Sequence, residues 1–186
     1  ASDWSSDVCS SDLDLDNLAV LAHYDGARSQ IAPRDKYLRD AAVLEAALLN
    51  EPDNSRYRYY LAMSYLAASR ADLAEAAFSA LIAMPAAPAE LYDARMRLAA
   101  MARSAGRLDE SAVHARQASR LAPHRADPLV HLSELALGDG EYAIAHALAL
   151  RALEMPMVED GMFVDPDVYF PRRQLAFIEA AIVVGD

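Results

Sequence analysis

Apolar side chains recur at helical spacing from Ser55 onward, in a two-helix pattern that returns about every 34 residues. Over 55–85, Leu61, Ala62 and Tyr65 share one face of a predicted first helix, and Ala74, Phe78 and Leu81 share one face of a second. The stretch 68–72 interrupts the period between them. Over 92–123 the same template places Leu98, Ala99 and Ala102 on a first helix, Gly106 and Leu108 at a turn, and Ser111, Ala115 and Ala118 on a second. A third copy over 126–156 carries Leu132, Ser133 and Ala136, then Gly140 and Tyr142, then Ala145, Ala149 and Ala152. Each copy closes on a proline: Pro85, Pro123 and Pro156. Upstream, Tyr37, Leu44, Ala47 and Pro52 match a second helix alone. Downstream, 174–185 reads as a first helix cut short.

Side-chain size explains the template. A small residue such as Ala62, Ala99 or Ser133 lets the paired helix approach, and its large neighbour Leu61, Leu98 or Leu132 fills the gap beside it. Gly106 and Gly140 can take a left-handed conformation and end the first helix. Pro52 and Pro123 stop a second helix. One such hairpin cannot bury its own face, so neighbours must stack. The order of large, small, Gly, aromatic, Ala and Pro resembles the tetratricopeptide repeat over about 35–185, most closely at Gly140, Tyr142 and Ala145. It departs where Ala102 stands for an aromatic and Ser69 for the turn Gly. The expected fold is all-α: a solenoid of stacked antiparallel helix pairs over 35–186, preceded by a short extended piece.

Composition agrees. Ala makes up roughly a fifth of the chain, Gly only 6 residues, and β-branched residues are sparse, which favours helix over strand. The net charge of −11 argues against nucleic acid or anionic membrane as partners. No run is apolar enough to span a bilayer, and no signal peptide is evident. The single Cys cannot form an internal disulfide, which fits a reducing, cytoplasmic setting.

Residues 3–13, DWSSDVCSSDL, resemble the conceptual translation of a sequencing adapter, so 1–13 and with it Cys9 are set aside as a non-structural segment. Residues 14–34 read as a strand and loop left from an upstream domain. The apolar run 18–23 ends in His23 and is followed by a turn at Asp25-Gly26. Together with Lys36-Tyr37-Leu38-Arg39-Asp40, Glu51-Pro52-Asp53-Asn54, Phe163-Val164-Asp165 and Asp167-Val168-Tyr169, these pieces resemble the C-terminal part of bacterial family 2 glycosyltransferases. The resemblance implies a preceding nucleotide-sugar domain. It also implies that His23 once helped bind the catalytic divalent metal, although one ligand alone makes no site. Asp14-Leu15-Asp16 has the form of a metal-binding Asp-x-Asp but abuts the adapter-like run.

Elsewhere no phosphate loop, nucleophile elbow or metal-ligand spacing appears, so no catalytic residue, metal or cofactor is assigned. His114, His124, His131 and His146 read as exposed or helix-packing histidines. The acidic connection 156–172, with Glu159, Asp160, Asp165 and Asp167 among aromatics, reads as an ordered loop packed on the last helices, or alternatively as a cation-binding loop. What remains is a concave surface. Arg56, Tyr59 and Met63 on the first repeat are expected to line it, then Asp93, Met96, Ala100 and Arg103, then Asp127, Val130 and Glu134. Such a mixture suits a protein or peptide partner, or a glycan acceptor; an ordinary solvated groove would look the same. The chain is therefore expected to be a non-catalytic scaffold. Leu175, Phe177, Ile178, Ile182 and Val183 are expected to lie bare on the terminal helix and to promote self-association.

Overall fold

The computed structural model describes residues 33–158, 165 and 167–185. Cys9, Asp14–Asp16, the 18–23 strand with His23, Asp25-Gly26, and Glu159, Asp160 and Phe163 lie outside the described residues. Within them the chain forms eight α-helices and no strand: α1 (Pro33–Asn50), α2 (Ser55–Ala67), α3 (Ala71–Ile82), α4 (Pro88–Ser104), α5 (Leu108–Leu121), α6 (Asp127–Gly138), α7 (Tyr142–Leu153) and α8 (Arg173–Val184). Each packs on its sequence neighbour, with α2–α3, α4–α5 and α6–α7 as the three hairpins. Helix α1 closes one end against α2, and α8 closes the other against α7 and α6. This is a helical repeat array, with α1 beginning two residues ahead of the expected boundary.

The hairpin turns repeat nearly atom for atom. The N–H groups of Arg70, Arg107 and Glu141 donate back to the carbonyls of Tyr65, Ala102 and Ala136, at 2.8, 2.8 and 2.9 Å. The residue before each donor is left-handed: Ser69 (φ 58°), Gly106 (φ 75°) and Gly140 (φ 76°). Its own N–H closes the inner ring on Leu66, Arg103 and Leu137. That pairing ends a helix and satisfies its last carbonyls, and glycine adopts it without strain. Ser69 carries a Cβ in the same conformation. Ser69→Gly is therefore expected to stabilise the fold by about 1 kcal/mol, read as a higher urea midpoint at unchanged slope. An unchanged or lower midpoint would refute this account of the turn.

Packing follows the small-residue rule. Ala62, Ala74, Phe78 and Leu81 are fully buried, with Leu61, Tyr65 and Leu98 beside them in one cluster that reaches Ala41 of α1. Two serines lock the other hairpins through equivalent positions with the roles exchanged. Ser111 Oγ of α5 donates to the carbonyl of Ala99 in α4, and Ser133 Oγ of α6 donates to the carbonyl of Ala145 in α7, each at 2.8 Å. A buried hydroxyl needs a partner, and close approach at Ala supplies one. In the first hairpin both equivalent positions are Ala62 and Ala74, which are buried with no hydroxyl to place.

Several sequence expectations need correction. Leu132 is only half-buried, and Tyr142 is exposed because the start of α7 faces solvent. Val130, expected in the groove, is fully buried with Leu129 and Ala152. Phe177, expected bare, is half-buried with its ring 5.1 Å from that of His146. Leu175, Ile178, Ile182 and Val183 are exposed as expected. In the connection before α8, Val168 and Tyr169 pack on α6 and α7, and the Tyr169 hydroxyl accepts from the Ala126 N–H at 3.4 Å. Phe170 instead points outward, 73% exposed. Asn54 caps α2 by accepting from the Tyr57 N–H at 3.1 Å, which fixes the 51–54 turn.

Candidate functional site

Positions 93, 96, 97, 100, 103 and 104 form one stripe along α4, because three- and four-residue steps return to the same helical face. Asp127, His131 and Glu134 form the facing stripe of α6. Asp93, Met96, Arg97, Ala100 and Arg103 from the first stripe and Asp127 and His131 from the second wall a pocket of about 300 Å³. Its third wall is the connection before α8, through Asp165, Val168 and Arg172.

Polar bonds tie this pocket to its neighbours. The Tyr59 hydroxyl of α2 donates to Asp93 Oδ2 at 3.0 Å, and Arg97 Nε donates to the same oxygen at 3.3 Å. Burial raises the Tyr59 pKa first, and the Asp93 charge and hydrogen bond raise it further, so the phenol keeps its proton. Further along, Arg103 of α4 reaches Glu134 of α6. Arg172 reaches the same carboxylate in a fork, Nε at 3.1 Å and Nη2 at 2.8 and 3.0 Å. Burial pushes the Glu134 pKa upward, but the two guanidinium hydrogen bonds outweigh it and hold the carboxyl below its ordinary value. Past this bridge the groove continues into a second pocket of about 350 Å³, bounded by Leu137, Leu175, Ala176 and Glu179.

His131 is buried in the wall with Nε2 2.7 Å from Ser111 Oγ. The serine's single proton already serves the Ala99 carbonyl, so Nε2 carries the imidazole proton and donates to the serine. Burial, with Arg103 and Arg172 nearby, pushes the His131 pKa down to about 4, and the ring is neutral at physiological pH. At the end marked by Asp93 and Asp127 lies Arg125, 1% exposed, its guanidinium 4.9 Å from the Tyr92 ring centroid and its Nε 3.6 Å from Asp127 Oδ2. Burial raises the Asp127 pKa, and Arg125 offsets part of that rise.

Of the residues expected from sequence, Asp93, Met96, Ala100, Arg103 and Asp127 line the pocket. Tyr59 is joined to it through Asp93, and Glu134 through Arg103. Two do not belong. Met63 packs into the first hydrophobic cluster. Arg56 is exposed and lies over the Tyr60 ring at 5.6 Å. Sequence reasoning missed Tyr92, Arg97, Arg125 and Arg172, and it read His131 only as a packing histidine. The four-residue step from Asp93 to Arg97 was a usable signal; nothing local marked Arg172.

No family model matches the chain, and no curated protein matches it either. Among the described residues no three or more His, Cys, Asp or Glu side chains are grouped to hold a metal ion. None of the described helices is long and apolar enough to cross a membrane.

Proposed function

We propose that this array is of the tetratricopeptide kind and acts as a binding scaffold, not a catalyst, holding a segment of a partner protein along α4 and α6. The observation that carries the reading is the walled groove. Adjacent first helices present matched polar stripes, and the connection before α8 closes a third side over them. The repeated left-handed turns and the exchanged Ser–carbonyl locks support the repeat assignment. The resemblance to a family 2 glycosyltransferase rests on His23, Asp25-Gly26, Lys36–Asp40, Glu51–Asn54, Phe163–Asp165 and Asp167–Tyr169. A glycan acceptor is the second reading, favoured by the mixture of Asp, Arg, His and Ser side chains that can meet sugar hydroxyls.

Ala100 is an exposed residue lining the pocket, and Trp there would fill it. In anisotropy titrations against a pooled library of labelled peptides, Ala100→Trp is expected to weaken binding about tenfold or more, near 1.4 kcal/mol. Val113→Trp on the exposed side of α5 should leave binding unchanged. Peptide binding indifferent to Ala100→Trp would sink the proposal. Binding of an oligosaccharide pool alone, lost in the same variant, would select the glycan reading.

A further inference from the structure

The Arg103–Glu134–Arg172 bridge stands between the two pockets, and both arginines line both. Two guanidinium groups converge there on a single carboxylate. The Glu134 side chain is 20% exposed, whereas those of Arg103 and Arg172 are 40% and 38% exposed. The carboxylate is the least exposed of the three groups and lines the second pocket together with both cations. Each guanidinium has five N–H donors in a planar fork. Arg172 uses Nε and Nη2 on Glu134, and Arg103 uses Nη1. Among the described residues no hydrogen bond engages their other nitrogens, and none of these is a buried unpartnered atom. One bridging carboxylate also leaves one positive charge uncompensated within the trio.

The first pocket also holds the carboxylates of Asp93, Asp127 and Asp165, and the second that of Glu179. Asp93 lies ten residues earlier on α4, about 15 Å along the helix, and is already engaged by Tyr59 and Arg97. Asp127 sits at that same end beside Arg125. Glu179 is the one opposing group in the second pocket, on the exposed side of α8. Next to the bridge the surface turns apolar. Leu137, Leu175 and Ala176 line the second pocket, and Leu175 is 50% exposed.

We propose that Arg103 and Arg172 anchor an acidic side chain inside the docked protein segment, and that an apolar residue next to it seats on Leu137 of α6 and Leu175 of α8. The inference rests on the groove-binding reading above and adds the chemistry of the occupant. An internal acidic residue fits better than a chain end, because the groove runs on past the bridge in both directions. A bidentate Arg–carboxylate bond is the strongest directional contact available here, and Glu134 holds the forks in place in advance.

The test is a thermodynamic cycle on the intact chain. The probe is a fluorescein-labelled dodecapeptide with a central Glu-Leu-Ile in a Ser/Gly background, compared with its Glu→Gln and Leu-Ile→Ser-Ser forms. For the wild type, Glu→Gln in the peptide is expected to weaken binding about tenfold, and more salt should shrink the difference. Against Arg172→Gln or Arg103→Gln the Gln and Glu peptides should bind alike. Arg172→Lys, which keeps the charge without the fork, should retain only part of the discrimination. The Ser-Ser peptide should lose affinity for the wild type but not further for Leu175→Ser. Arg116→Gln, on the exposed side of α5, should change nothing. Urea midpoints of the arginine variants guard against misfolding.

Equal binding of the Glu and Gln peptides to the wild type, or a Glu preference that survives Arg172→Gln, overturns the anchor. If Ala100→Trp still blocks those peptides, the groove reading survives alone; if it does not, both fall. A concentration-dependent dimer that Leu175→Ser abolishes and the peptide cannot displace would give the α8 face to a second copy, and would also overturn the proposal.

Discussion

Arg125→Ala is expected to destabilise the chain by about 3–5 kcal/mol, a large part of the stability of a domain this size. Arg125 sits in the α5–α6 connection, where its backbone N–H donates to the Ala122 carbonyl at 3.2 Å. Its side chain is among the largest fully buried ones. The guanidinium lies on the Tyr92 ring and faces Asp127, so it joins α4 to the start of α6. Removing it leaves a buried carboxylate without its countercharge and a cavity against Tyr92. The loss of the pair and the loss of volume can be separated. Arg125→Met keeps most of the volume and should still destabilise. Arg125→Met with Asp127→Asn should recover a substantial part, because the orphaned charge is gone. Urea denaturation of the three variants reads this directly. A loss below about 1 kcal/mol for Arg125→Ala, or no recovery in the double variant, would show that the buried cation is not what couples α4 to α6.

Acid is expected to weaken the fold through His131. The folded-state pKa of about 4 lies below the unfolded value near 6.5. Between those values the unfolded chain binds more protons than the folded chain, so stability rises with pH across that window. The contribution is complete above about pH 6.5 and is lost progressively on descent, amounting to about 3 kcal/mol by pH 4. Protonation would place a second proton on a buried ring whose neighbours are Ser111, Arg103 and Arg172, where no anion but Glu134 can answer it. Other groups act on the same side, among them His114, lowered first by burial and then by Arg95, and Glu134, whose depressed pKa loses its stabilisation as pH falls further. Asp127 opposes them, since a buried carboxyl with a raised pKa gains from protonation. The cleanest measurement is the difference between wild type and His131→Gln, whose amide can still donate to Ser111. Urea titrations at pH 7 and pH 4 should show the wild type losing about 3 kcal/mol more than the variant. Parallel pH dependence in the two would exclude His131 as the acid-sensitive group.

Much of the framework was readable before any coordinates. The pairing of large and small residues at Leu61-Ala62 and Leu98-Ala99 placed the hairpins, and all four are buried. The glycines at the two turns predicted left-handed backbone, which both adopt, and Ser69 takes the same conformation without being glycine. The lapses share one origin. Periodicity gives the angle of a residue around its helix but not which neighbour stands there. Val130 is one position off the true stripe of Asp127, His131 and Glu134, enough to turn it from the groove into the core beside Ala152. Met63 turns into the first hydrophobic cluster in the same way, and Tyr142 sits at the exposed start of α7.

The groove itself depended on longer distances. Arg172 meets Glu134 across 38 residues of chain, and Arg103 meets it across 31. Neither spacing carries a local rule: Arg172 is placed by Val168 and Tyr169, which pack with Ala126, Leu129, Val130 and Ala152. Arg125 reads as an ordinary loop cation until Tyr92 and Asp127 are brought around it. Alone, the amino-acid sequence determined the helices, their turns and the order in which they stack, since these follow from side-chain size and backbone freedom over a few residues. Which charges meet, which histidine is held neutral and where the groove closes were decided only by the tertiary structure, because electrostatic energy depends on distance through space and on exclusion of water.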